Sequence, residues 1–295
     1  MKSKNEKRPA GPGRTPAHSG RGRMKGAPWR SGYSLWQGVS AGRVLVVPAF
    51  LFFQLLGFAF EAEAVGGISN SKVNVLSADT VARNHIELEP YFSAEFLDDR
   101  DDTFRFGGGL RVTPGLLDYL EAGVSINYLD VEDSDLIETR HDFGDVEAGM
   151  KLRLVNEADG NPFSLAYVAG VTFPTGKGSE WVVEPAGLVL TKNFTDRFSL
   201  DADFVVGLVE GGSWSIVTNT GLGYYVTPWL QAVVEGAYAF ESVDNGGDVS
   251  IINVTGGFTA DVAEWLTVIV GVTPDVYAKN TDKMVVLTAA FTFAF

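Results

Sequence analysis

From His85 to Phe295, apolar and polar positions alternate with a period of two, interrupted at regular intervals by turn-forming residues. Strand side chains point to opposite faces in turn, so this period predicts strands with one greasy face and one small or polar face. Twelve such segments lie at approximately 85–96, 103–113, 118–129, 142–154, 163–173, 181–192, 197–209, 213–226, 229–240, 249–260, 264–274 and 284–295. Most are about 9–13 residues long, the length a tilted strand needs to cross a bilayer. In "DVEAGMKLRL", Val146, Ala148, Met150, Leu152 and Leu154 oppose Asp145, Glu147, Lys151 and Arg153. In "FSLDADFVVG", Phe198, Leu200, Ala202 and Phe204 oppose Ser199, Asp201 and Asp203.

The connections also alternate. "TPGLL", "NEADGNP", "NFTD", "TP" and "DVA" carry tight-turn chemistry, whereas "DVEDSDLIETR", "PTGKGSE", "ESVDNGGD" and "DVYAKNTDK" are longer and polar. Short turns at one end and longer loops at the other predict an all-β, antiparallel up-and-down transmembrane barrel of about 12 strands, with both termini on the periplasmic side. An even count lets the last strand pair with the first, which removes both sheet edges. Aromatic residues gather at segment ends: Tyr119, Trp229 and Trp265 toward the short turns, Phe143, Trp181 and Trp214 toward the long loops. Two such bands suit the two headgroup layers. A soluble β-sandwich would also alternate, but it explains neither the greasy face on nearly every segment nor charge opposite it at mid-strand.

The first 64 residues differ from the rest. They hold 10 of the 23 Lys and Arg residues and only 3 of the 37 Asp and Glu residues. A basic stretch rich in Pro, Gly and Ser is followed by the apolar run Val44–Phe60 and then by Ala62-Glu63-Ala64. That order predicts a signal peptide cleaved after Ala64; a membrane anchor is the alternative reading of the apolar run. The basic region is long for a leader, and Met24 is a more natural start than Met1. The expected organisation is therefore 1–64 extension and leader, 65–84 a short periplasmic segment, and 85–295 the barrel. The remainder carries 13 basic and 34 acidic residues, a formal charge of −21, which excludes nucleic acid as a partner. The chain has no cysteine, so disulfides, thiolate metal sites and lipid attachment after the leader are excluded.

The chain ends "VVLTAAFTFAF". A terminal aromatic on a closing strand resembles the mark that Gram-negative outer-membrane barrels present to their assembly machinery, which makes Phe295 the candidate assembly signal. "NHIELEPYFSAEF", "FGDVEAGMKLRL", "VAGVTFPTGKG" and "NTGLGYYVTPWLQAVVEGAYAF", in that order, resemble the outer-membrane family named for the MetA pathway of phenol degradation. The likeness covers residues 80–295. It implies a transporter in the outer membrane, embedded in lipid and lipopolysaccharide, with a small-molecule solute and aromatic compounds among the candidates; it supplies no catalytic residues.

Enzymatic chemistry finds little support. "PTGKGS" (Pro174–Ser179) lacks phosphate-loop spacing, because Lys177 is followed by Gly178 and no helix follows. Only His85 and His141 remain beyond the leader, and neither has a Ser partner in place for a lipid hydrolase. "DDRDD" (98–102) and "DVEDSD" (130–135) lack calcium-loop spacing and read as solvated loop charge. No cofactor or metal is expected.

Parity places Glu87, Glu89, Glu95, Arg105, Arg111, Glu121, Asp145, Glu147, Lys151, Arg153, Asp201, Asp203 and Glu235 on the inward face, an acidic surplus that favours cations. Twelve strands give a wall radius of roughly 12 Å. Small inward residues such as Gly107, Gly109, Gly123, Ser125, Thr172, Thr255, Thr288 and Thr292 favour an open path over a plug. The reading is thus a passive outer-membrane channel for small molecules, with a structural or adhesive barrel as its chief rival and a lipid hydrolase as the third.

Overall fold

The computed structural model describes residues 65–98, 103–134, 137–141, 143–176, 179–242 and 247–295, and within 128–142 the backbone alone. The expected leader and its cleavage site, the acidic loop residues Asp99–Asp102, Lys177–Gly178 and the side chain of His141 lie outside this description.

The strands are β1 (Ile86–Asp98), β2 (Phe104–Leu117), β3 (Leu120–Ser134), β4 (Ile137–His141), β5 (Val146–Val155), β6 (Ser164–Phe173), β7 (Val182–Asn193), β8 (Phe198–Val209), β9 (Trp214–Thr227), β10 (Leu230–Ser242), β11 (Val249–Ala263), β12 (Leu266–Lys279) and β13 (Lys283–Ala294). Each pairs antiparallel with its neighbours, and β1 pairs with both β2 and β13, so the sheet closes on itself. At the seam the Ile86 N–H donates to the Phe295 carbonyl at 3.1 Å, and the Phe295 N–H donates back to Ile86 at 3.0 Å. β4 and β5 both pair with β3. They form one wall strand, bridged by Gly144 N–H to Asn127 O at 3.0 Å and Asn127 N–H to Asp145 O at 3.2 Å. The wall therefore has twelve positions.

Leu110, Val124, Met150, Leu188, Phe204, Leu222 and Leu287 stand exposed along the outer face. An apolar belt of this extent is unfavourable in water and is satisfied by lipid. Tyr119, Tyr224, Trp229, Trp265 and Phe295 are exposed near the short turns, and Phe96, Phe143, Trp181, Trp214 and Tyr277 near the opposite rim. Several meet across neighbouring strands: Trp265 stacks on Phe293, and Trp214 packs at a tilt against Phe240. Among the described residues no helix is long and apolar enough to cross a membrane; the strands do the crossing.

Two loops are shorter than expected. "DVEDSDLIETR" continues β3 to Ser134 and returns as β4, and "DVYAKNTDK" continues β12 to Lys279 and resumes at Lys283. Beyond the bilayer both faces of a strand meet water. The ladder then persists while the apolar alternation that would reveal it disappears.

Candidate channel lumen

The segment expected in the periplasm is inside the barrel. Val65, Ile68, Val73, Val75, Leu76, Ala78 and Val81 are all buried. Val65, Ile68, Leu76 and Ala78 pack against Ala166, Val168, Val189 and Val205 of the wall. Val73 packs against Val233, Ile269, Ala290 and Tyr91. Residues 65–81 thus lie in the lumen, whereas the sequence predicts the whole of 65–84 in the periplasm, and the path that the small inward residues favour is in part filled. Gly123 makes room for this inner segment, as do Gly221 and Gly271, while Gly107, Ser125, Thr172 and Thr288 line the open space that remains. A methyl group placed on Gly221 would lie 2.6 Å from Val75 Cγ1, one on Gly271 would lie 2.6 Å from Val73 Cγ1, and one on Gly123 would lie 2.1 Å from the Gly67 carbonyl oxygen.

A backbone buried in a lumen must still satisfy its N–H groups. The inner segment has only the single bridge Asn70–Leu76 of its own, and wall side chains supply other acceptors. Glu121 accepts from Ser69 N–H at 2.9 Å, Ser69 Oγ at 2.7 Å and Val81 N–H at 2.6 Å. Glu235 accepts from Val73 N–H and Asn74 N–H, each at 3.0 Å. Asp203 accepts from Leu76 N–H at 3.0 Å and from Asn219 Nδ2 at 2.8 Å. Thr191 Oγ1 accepts from Ala78 N–H at 2.8 Å and donates to Asp201. Asp201 also accepts from Ser71 Oγ at 2.7 Å and pairs closely with Lys72, both side chains being buried. Lys151 pairs with Glu121 at 3.1 Å and donates to the Ser69 and Asp79 carbonyls at 2.8 and 3.0 Å. Carboxyl groups of the wall thus act as hydrogen-bond acceptors along most of the inner segment, and the ion pairs Lys72–Asp201 and Lys151–Glu121 add charge-assisted contacts.

Of the thirteen charged residues that parity places inward, eleven divide into groups. Glu121, Lys151, Asp201, Asp203 and Glu235 hold the inner segment. Glu89, Arg105, Arg111, Asp145 and Glu147 line a cavity of about 800 Å³ between the inner segment and the long-loop rim. Arg153 sits near the short turns, donating to the Asp118 carbonyl and pairing at 3.7 Å with Asp79 of the inner segment. Arg111 pairs with Glu89 at 2.5 Å, and Glu89 also accepts from Thr292. Arg105 is only 3.9 Å from Glu95 and its side chain is 40 % exposed, the more open of the two arginines. Asp145 accepts from Gly176 N–H at 2.8 Å and Ser179 Oγ at 2.7 Å, which ties down the "PTGKGS" hairpin loop. Glu147 accepts from Ser125 at 2.6 Å. Tyr91 lies across Gly109 and donates to Asn127 at 2.6 Å, a strut along the wall of β1 to β3.

The cavity has two characters. Glu95, Arg105, Asp145, Glu147 and Glu184, on or beside β1, β2, β5 and β7, bring charge to the lining; Val205, Val217, Ala237 and Ala239 of β8 to β10 bring apolar surface, with Asn219 and Glu241 among them, and Val286 lies beside Glu95 across the seam. Parity reasoning missed Glu184, because the ladder slips between Val183 and Ala186 and turns it inward. Pro185, which cannot donate to a ladder, was the available signal of that bulge. Parity also missed Lys72, Asn74 and Ser69, whose segment carries no strand period. His85, the described histidine, contacts the Phe295 carbonyl through Nδ1 at 3.0 Å, at the seam rather than the lumen.

No family model matches the chain, and no curated protein matches it. Among solved structures it is similar to an outer membrane channel from Pseudomonas putida F1, at 13 % identity and a TM-score of 0.65, covering 74 % of this chain and 98 % of that one. It is also similar to the NanC porin, at 8 % identity and a TM-score of 0.52, covering 70 % of this chain and 98 % of the porin. The fold is that of outer-membrane β-barrels.

Proposed function

We propose that this protein is a passive channel in the Gram-negative outer membrane that admits small molecules. The observation that carries the reading is the cavity of about 800 Å³, which opens a polar and partly apolar chamber inside a lipid-facing wall. A barrel serving only as scaffold or adhesin has no use for such a chamber. The cavity lining contains more carboxylates than guanidinium groups, so cations are favoured over anions, most visibly at low salt. The apolar residues Val205, Val217, Ala237 and Ala239 on β8 to β10 suit an aromatic or other hydrophobic body, in keeping with the resemblance to the phenol-degradation family. The inner segment is the floor of the chamber, and solute passes when it shifts.

The test is conductance in planar bilayers, with reversal potential under a KCl gradient and uptake of benzylamine, benzoate and arabinose into proteoliposomes. Small, cation-selective currents and faster entry of benzylamine than of the other two are expected. Absence of current from both the wild type and a variant lacking residues 66–81 would exclude a channel.

A further inference from the structure

The residue that follows the expected cleavage site is not at the barrel mouth. Val65 is 2 % exposed and packs in the lumen against Ile68, Val168 and Val205. Its side chain and the Glu184 carboxylate converge on one point of β6: a methyl group on Gly170 would stand 2.6 Å from Val65 Cγ1 and 2.8 Å from Glu184 Oε2. The next residue, Gly66, lies directly against Glu147, whose Oε2 is 1.8 Å from where a Cβ would be. Two carboxylates from different strands therefore approach the start of the inner segment. Val65 also has φ of +44°, a conformation that a β-branched residue adopts only under strain. That torsion is defined by the carbonyl of the preceding residue. It ceases to exist if the Ala64–Val65 bond is hydrolysed.

We propose that removal of the leader after Ala64 creates an ammonium group inside the lumen that serves as the counter-ion of Glu184 and Glu147, so that processing and seating of the inner segment are coupled. Hydrolysis adds water across one peptide bond, leaving a carboxylate on the departing leader and an amine on Val65. The amine takes up a proton and meets the carboxyl groups of Glu184 and Glu147, whose ionised forms favour its charged form. The same step relieves the backbone strain at Val65. The inner segment would then be fastened by charge at its start, as it is at Lys72 by the pair with Asp201. This rests on the leader reading, and it holds whether or not the barrel conducts.

The first measurement is mass spectrometry of the N-terminal peptide of protein extracted from outer membranes. A start at Val65 is expected; any other start overturns the inference, and leaves the channel reading untouched. The second is acetylation of the Val65 amine at neutral pH in the micellar protein, compared with E147Q/E184Q. An ammonium held by carboxylates should react about tenfold more slowly than in the double variant, since a protonated amine is not a nucleophile. Equal rates in the two proteins overturn the pairing, because simple shielding by the wall is the same in both. If the double variant does not assemble, insertion of two glycines between Ala64 and Val65 keeps the cleavage site and moves the amine away. In that variant the new amine should react faster and the inner segment should become cleavable by added protease; no change in either would overturn the proposal.

Discussion

Glu121 on β3 and Lys151 on β5 stand 3.1 Å apart with both side chains fully shielded from solvent. Between them they hold both arms of the inner segment, since Glu121 accepts from Ser69 and Val81 while Lys151 donates to the carbonyls of Ser69 and Asp79. One ion pair is thus the clasp of a looped chain. Removing one partner leaves the other buried and uncompensated, a loss of about 3–5 kcal/mol. K151M should therefore lower the temperature at which the barrel loses its heat-modifiable gel migration and expose residues 65–84 to protease. K151M/E121Q should recover part of that loss. Wild-type protease resistance in K151M would show that the clasp is not needed.

Gly221 tests packing at a point where Val75 comes nearest and the Lys72 and Glu235 side chains lie 3.1 and 3.3 Å from the position of an added Cβ. In G221V the added side chain meets Val75, whose Cγ1 lies 2.6 Å from the position of its Cβ. Overpacking of this kind costs about 1–3 kcal/mol. Valine suits a strand, so the wall should remain closed while the inner segment is displaced. The expected readout is a larger single-channel conductance with an unchanged β-type circular dichroism spectrum.

Asp201 and Asp203 are anchors for Ser71, Lys72 and Leu76 rather than charges facing the open cavity. D201N/D203N is accordingly expected to loosen the inner segment and raise the open probability, with only a secondary shift in reversal potential. E147Q/E184Q, which alters carboxylates of the cavity, should move the reversal potential toward anions. The reverse pattern in the two double variants would mean that conduction follows the other wall.

Phe295 has two separable contributions at the seam. Its backbone exchanges hydrogen bonds with Ile86, and its exposed ring lies in the aromatic band near the short turns. Deleting it removes both; F295A keeps the backbone pair. If the ring is the mark read by the assembly machinery, both variants should accumulate in the periplasm and fall in outer-membrane abundance. A defect in the deletion alone would assign the effect to closure of the seam.

The period-two alternation from His85 onward determined the barrel, its twelve wall positions and which of Glu89, Arg105, Arg111, Asp145 and Glu147 face inward. Pleat parity is a local property, and it is propagated by a ladder that needs no distant information. Parity failed at Glu184, where the bulge beside Pro185 shifts the register by contacts with β6 and β8 that a single strand does not encode. It was silent on "GGISNSKVNVLSADTVA", which has neither strand nor helix period because its N–H groups are satisfied by side chains up to 162 residues away, as Val73 is by Glu235. The same carboxylates that look from the sequence like a charged pore lining become, once the wall has closed around them, the acceptors for a buried backbone. Only closure of the barrel brings Glu121, Asp201, Asp203 and Glu235 around one space, and the requirement that buried N–H groups find acceptors then decides what fills it.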